Sequence, residues 1–313
     1  MRPAIAGFGG ISLRDIEYVV AISDTGSFTA AAERCGVSQP SLSGQVRKVE
    51  NQLGLKIFER TGRDVRLTPA GADIVAQARS VLGEARRLFD LGRALNDPLA
   101  GPLRLGVIAT LGPYLVPHLL GPLQSEFPDM KLQLREGLTA ELGALVIGGE
   151  LDAVLLSVPV EDDRLMAAPI LFEPFVGMCS RRSALSGKDM LDMADLDTDD
   201  LLLMDEGHCI RGQALALCSS RRPGRETRHA ASIETLRHLV AAGSGHALLP
   251  KLAARADPRI DVHVRYAPLV DPQAGREIGL AWRRTDVREQ AFRRLAEFIA
   301  GLKIEGTTPP AVR

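Results

Sequence analysis

Cys209 stands in the run Gly207-His208-Cys209-Ile210-Arg211, and a second cysteine, Cys218, follows nine residues later. A thiol attacks an electrophile only as the thiolate. Its ordinary pKa of about 8.5 leaves roughly 3% in that form at neutral pH, and adjacent cations raise the fraction. His208 and Arg211 are near enough in sequence to act in this way. The chemistry on offer is redox chemistry: an oxidised Cys209 becomes a sulfenic acid, which Cys218 can trap as a disulfide. The competing reading is a small buried hydrophobe, the usual fate of a cysteine. Cys35 and Cys179 fit that description. Cys35 ends an apolar helix face, and Cys179 lies in Val176-Gly177-Met178-Cys179, which reads as a buried strand. No Cys-x-x-Cys occurs and no cysteine has metal-ligand spacing, so neither a metal site nor a cofactor is expected.

The segment between the two cysteines constrains the chemistry. Gln213-Ala214-Leu215-Ala216-Leu217 favours helix, and Ile210, Ala214, Leu215 and Leu217 give it an apolar face. Nine residues of continuous helix would hold the two cysteines about 13.5 Å apart. A disulfide needs Cα atoms within about 7 Å. Pairing would therefore unwind the helix, with Gly212 as the hinge, unless an irregular loop already holds the thiols close.

A chain of 313 residues, 45% hydrophobic and 25% charged, has room for two or three domains and the profile of a globular protein. Its net charge of -1 gives no global basic balance, which leaves a local basic face open. Four cysteines make no disulfide scaffold. No apolar run reaches the length of a membrane span, and the first residues lack an apolar signal core. The expected compartment is a reducing cytoplasm, with no membrane partner.

The N-terminal quarter has a different chemistry. Leu13, Ile16, Val19, Val20 and Ile22 follow helical spacing up to Asp24-Thr25-Gly26. Ser27 caps a second helix that ends at Cys35-Gly36, and Ser38 caps a third that carries Leu42, Val46, Val49 and Leu53 inward. Two short helices joined at a glycine make a helix-turn-helix. The groups set to face DNA are Ser38, Gln39, Pro40, Ser41, Ser43, Gln45 and Arg47 at the start of the third helix. Arg60, Arg63 and Arg66 follow in a short hairpin wing between Phe58 and Thr68. Short hydrogen-bonding side chains suit base edges and arginines suit phosphates. From Pro69 to about Leu95 a proline-free helix carries Ile74, Ala78, Val81, Leu82, Ala85, Leu88 and Leu91 as one apolar stripe, the pattern of a dimer seam. Packing on another part of the same chain is the alternative.

Beyond Pro98 the chain alternates strand and helix: 103–108 strand, 115–127 helix, 131–135 strand, 142–147 helix, 151–156 strand. This alternation predicts a mostly parallel sheet. Phe172-Glu173-Pro174 reads as a crossing into a second lobe, and Ile278-Gly279-Leu280-Ala281-Trp282 as the return.

Gly26-Ser27-Phe28-Thr29-Ala30-Ala31-Ala32, Ser38-Gln39-Pro40-Ser41-Leu42-Ser43, Phe58-Glu59-Arg60 and Leu67-Thr68-Pro69-Ala70-Gly71 resemble the LysR-type transcriptional regulators. Within them, Gly112-Pro113-Tyr114-Leu115-Val116-Pro117, Gly207-His208-Cys209-Ile210-Arg211, Cys218 and Ser232-Ile233-Glu234-Thr235-Leu236-Arg237 are similar to the peroxide-sensing OxyR group. The resemblance implies an α+β multidomain chain, with a winged helix-turn-helix at 11–70 and a linker helix at 71–97. A two-lobed α/β regulatory domain like periplasmic binding proteins follows at 98–313, with lobe I at 98–172 and 276–313 and lobe II at 173–275. It implies a regulator of oxidative-stress genes, not an enzyme, with promoter DNA, hydrogen peroxide, RNA polymerase and its own copies (homodimer or homotetramer) as partners. It also implies a peroxide pocket of Thr110, Thr139, His208, Arg211 and Arg283 around Cys209; Thr139 could instead merely cap a helix. Gly212 departs from the group, where an acidic residue is common. Two other functions remain: a regulator binding a small effector in the cleft, with Cys209 lining it, and a peroxidase-type enzyme, against which the helix-turn-helix argues.

Overall fold

The computed structural model describes residues 10–61, 64–94, 98–217, 229–255 and 257–310. Cys218 and Arg63 lie outside the described residues, as do the side chains of Arg60 and Leu91. The chain divides into two compact units, Met1–Phe89 and Asp90–Arg313.

In the first unit, α1 (Leu13–Thr25) is opened by a reciprocal Ser12–Asp15 capping box and closed by Gly26 in the left-handed region. The Ser27 side chain caps α2 (Phe28–Arg34), and the Ser38 side chain caps α3 (Gln39–Leu53). Between them Gly36 has φ +65°, a conformation that favours glycine and turns α3 across α2. Leu42, Val46 and Val49 are buried with Val19, Ile22 and Ala31, as helical spacing predicts. Leu53, in the last turn of α3, is exposed instead of facing inward. The wing is β1 (Phe58–Thr61) paired antiparallel with β2 (Asp64–Leu67). The long helix α4 (Pro69–Ala94) divides its stripe. Ala78 and Leu82 pack against Val20 of α1, whereas Val81, Leu88 and Phe89 are exposed.

The second unit is built on a nine-stranded sheet. Its elements in chain order are β3 (Gly101–Ile108), α5 (Gly112–Glu126), β4 (Met130–Gly137), α6 (Thr139–Ile147), β5 (Ala153–Val158) and β6 (Leu165–Ser180), followed by α7 (Met193–Leu196), β7 (Leu201–Met204), α8 (Cys209–Leu217), β8 (His229–Ala230), α9 (Ile233–Ala241), β9 (His246–Pro250), α10 (Pro258–Asp261), β10 (Val264–Pro268), β11 (Gly275–Arg283) and α11 (Glu289–Ala300). The strand order is β4-β3-β5-β11-β6-β9-β7-β8, with β10 also on β6. The sheet is mixed rather than mostly parallel. β3–β4, β3–β5, β7–β8 and β7–β9 are parallel, but β11 runs antiparallel to both β5 and β6. The cause is the route of the chain: it leaves the first lobe along β6 and re-enters along β11 in the opposite direction. β6 is 16 residues long and serves both lobes, pairing with β11 over its first part and with β9 and β10 over its last. Each lobe buries its own core, one around Trp282, Phe292 and Leu155, the other around Phe175, Met178 and Leu236. Tyr114 of α5 crosses over: its ring lies in the second-lobe core and its hydroxyl donates to Glu234 at 3.0 Å.

Candidate functional site

Strand β7 delivers the chain to the loop Asp205-Glu206-Gly207-His208, and α8 begins at Cys209. Gly207 has φ +89°, a backbone conformation that favours glycine. The thiol thus sits in the first turn of a helix, where unpaired backbone N–H groups favour an anion. Although α8 belongs to the second lobe, the half-buried Cys209 side chain packs against the core of the first. Its Sγ lies 3.6 Å from Ser157 Oγ on β5 and 4.0 Å from Arg276 Nη1 on β11.

Arg276 is the cation that meets the sulfur, and it is locked in place. It is buried and faces the equally buried Glu173, with Nη2–Oε2 at 2.8 Å and Nε–Oε2 at 2.9 Å. Its Nη1 donates to Thr110 Oγ1 and its Nη2 to the Thr110 carbonyl, both at 2.9 Å. Glu173 Oε1 accepts from the Leu252 amide at 3.0 Å. Such a pair survives burial because its lone pairs and N–H groups are met; losing one partner leaves a bare buried charge, at about 3–5 kcal/mol.

The expected pocket residues fall into two sets. Thr110 reaches the thiol's surroundings through Arg276. Thr139, His208 and Arg211 line a cavity of about 900 Å³ together with Ser157 and Cys209. Thr139 is the first residue of α6 and not its cap; the cap position is Leu138, with no side-chain cap bond. His208 does not act as the expected cation: burial holds its pKa below the ordinary histidine value, with Asp205 opposing only in part. Arg211 donates to the Met204 carbonyl at 3.1 Å and lies 2.7 Å from His229 Nδ1. Arg283 lies outside the cavity lining, at the far end of β11, bonded to Asp286 at 3.2 Å. Ser157, Glu173 and Arg276 escaped the sequence reading. The available signal was an acid and a base at the two ends of the lobe crossing, Glu173 and Arg276, each beside an apolar run. Burial pushes the Cys35 and Cys179 thiols up, away from the reactive form.

In the first unit Ser38, Pro40, Ser41, Gln45, Arg47 and Arg66 are exposed and Gln39 is half-buried. Ser43 is an exception to the expected DNA-facing set. It is 2% exposed, turned inward one position after Leu42, with its Oγ 3.3 Å from Arg47 Nη2.

Residues 13–72 match the bacterial regulatory helix-turn-helix protein, lysR family, and residues 96–302 the LysR substrate binding domain. The chain is 39% identical over 290 residues to the DNA-binding transcriptional dual regulator OxyR of Escherichia coli K12, covering 92% of this chain and 95% of that one. Full-length OxyR from Pseudomonas aeruginosa, carrying a cysteine-to-aspartate change, superposes with a TM-score of 0.70 at 36% identity, over 93% of this chain and 98% of that one. A hydrogen-peroxide-bound cysteine mutant of Corynebacterium glutamicum OxyR gives 0.61 at 31% identity, over 92% and 91%. The chain belongs to the LysR family of bacterial helix-turn-helix regulators, in its OxyR group.

Proposed function

We propose that this chain is a hydrogen peroxide-sensing regulator of oxidative-stress genes, in which Cys209 is the peroxide-reactive thiol and Cys218 the resolving one. The observation that carries the reading is the Cys209 sulfur between a hydroxyl at 3.6 Å and a locked guanidinium at 4.0 Å, at the start of a helix. That setting favours a thiolate and offers hydrogen-bond donors to the oxygens of a peroxide. Curated relatives are named as a DNA-binding transcriptional dual regulator and as activators of hydrogen peroxide-inducible genes, which favours a regulator over an enzyme. No described helix is long and apolar enough to cross a membrane. We read the chain as working in the cytoplasm, as activator or repressor, on promoter DNA, as a homodimer or homotetramer, and in contact with RNA polymerase.

The switch follows from the length of α8. Leu217 lies eight residues after Cys209 in one helix, about 12 Å along the axis. Whatever conformation follows, the next Cα stays at least about 8 Å from that of Cys209. A Cys209–Cys218 disulfide, which needs about 7 Å or less, therefore requires α8 to unwind. That remodelling is the signal that the subunit contacts or DNA-binding parts would read.

A second reading draws on the cavity, whose volume of about 900 Å³ suits a drug-sized effector rather than a peroxide alone. Thiol mass measurement after one equivalent of hydrogen peroxide separates the two. The peroxide reading expects an intramolecular disulfide in the wild type, a sulfenic acid without disulfide in Cys218→Ser, and no response in Cys209→Ser. Cys209 left reduced by peroxide would overturn it in favour of the effector.

A further inference from the structure

Among the described residues the Cys209 sulfur has two polar side-chain neighbours, Arg276 and Ser157. They are placed by one piece of sheet. Ser157 on β5 stands directly opposite Ile278 on β11, and Arg276 precedes Ile278 by two residues. Side chains alternate along a strand, so Arg276, Ile278 and Ser157 share one face, and Ser157 and Arg276 are diagonal cross-strand neighbours on it. β5 is also held by β3 on its other edge, over Ala153 to Leu155 just before Ser157. The sheet of the first lobe thus presents a cation and a hydroxyl side by side, and α8 of the second lobe lowers a thiol onto them.

Ser157 is out of keeping with its strand. Leu155 and Leu156 before it are buried and Val158 follows. A serine here either leaves room for the sulfur, as alanine would, or uses its hydroxyl.

We propose that Ser157 is a catalytic residue of the thiol reaction, its hydroxyl donating to the Cys209 thiolate; this rests on the reading of Cys209 as the peroxide-reactive thiol. A neutral S–H is a weak donor and a weak acceptor, so the pair gains little while the thiol is protonated. Once ionised, the sulfur accepts a charge-assisted bond of roughly twice the strength of a neutral one. Stabilising the charged form more than the neutral form favours the thiolate. The contribution matters because Arg276 already shares its charge with Glu173. In the reaction a sulfur lone pair attacks one oxygen of hydrogen peroxide, and the O–O bond breaks as the S–O bond forms. Two electrons pass from sulfur to the peroxide. The transferred oxygen stays on sulfur with its hydrogen as the sulfenic acid, and the other leaves as hydroxide, which takes up from solvent the proton that the thiol released on ionising and becomes water. Ser157 keeps its own proton throughout. As the sulfur lone pair is consumed, its hydroxyl can turn to the oxygen now bound to sulfur.

The test is the pH profile of Cys209 oxidation by hydrogen peroxide in the full-length protein, followed alongside ultraviolet thiolate absorbance. Ser157→Ala should move the midpoint of both curves up by about one unit, which lowers the rate near neutrality about tenfold. Ser157→Thr, which keeps the hydroxyl on a strand-favouring side chain, should return it toward the wild type. A pure spacer would leave the profile in place, so an alanine curve superimposed on the wild type overturns the proposal while leaving peroxide sensing intact. Wild-type Cys209 that peroxide does not oxidise would overturn the underlying reading, and this one with it.

Discussion

At the scale of single residues, the site separates groups that sequence alone cannot separate. Arg211, Arg276 and Arg283 are all candidates to stabilise a thiolate, but only Arg276 has a described contact with the sulfur. Arg276→Lys keeps the charge and loses the fork that binds Thr110 and Glu173 together. We expect it to slow Cys209 oxidation about tenfold by stopped-flow measurement. Arg283→Lys should leave that rate within about twofold, because its partner is Asp286. His208 gives a prediction in pH. Its folded pKa lies below the unfolded value of about 6.5 because burial penalises the charged ring. As pH falls below about 6.5 the unfolded chain takes up a proton that the folded chain still refuses. The stability from neutral His208 is therefore present above that value and is lost on acidification. His208→Asn should flatten this part of the curve of denaturation midpoint against pH, and an unchanged slope would contradict the assignment. Cys209 and His208 can be named from sequence because they adjoin in one run, whereas Thr139 comes only with the family resemblance. Arg276 and Ser157 cannot be named so, since they meet the thiol through strand register, a relation between residues 67 and 52 positions away from it.

At the scale of elements, the proposed switch rests on α8. Its helical character was legible in Gln213 to Leu217, and the structure extends it back to Cys209. Ile210 and Ala214 are buried as expected, whereas Leu215 is 42% exposed, one position round from the buried stripe. Gly212 lies inside this helix, and a Cβ there would meet nothing within 4 Å. Gly212→Ala should thus stabilise the helix by about 1 kcal/mol without a clash. If unwinding precedes bond formation, the variant should form its disulfide about fivefold more slowly while sulfenic acid appears at the wild-type rate. Hydrogen exchange across α8 should rise on oxidation in the wild type, and protection that does not change in fully disulfide-bonded protein would rule out unwinding. The helix-turn-helix was read almost completely from caps and spacing, because its signals are local. The alternation of strand and helix predicts the parallel β4-β3-β5 core, but not the antiparallel β11, whose direction is set only when the chain returns from the second lobe.

At the scale of the whole molecule, DNA binding and self-association are expected to be separable. Arg66→Ala on the exposed wing should weaken binding to all sequences and reduce the slope of log affinity against log salt by about one. Gln39→Ala should instead relax discrimination between operators. On α4 the exposed Leu88 and Phe89, each 70% accessible, form an apolar edge uncovered by the described residues of their own unit. Replacing both with Glu should shift the sedimentation profile toward smaller species. The regulatory unit has one more consequence. β6 runs unbroken through both lobes, Tyr114 is driven from one lobe into the core of the other, and Arg276 holds Glu173 across the crossing. A body riveted along its spine resists folding shut like a book. Its outline in solution scattering should scarcely alter on oxidation, while a protease probing near α8 should find a new place to cut. Under the proposed switch the message is written in the texture of one patch of surface, and a reader of it must touch that patch to receive it.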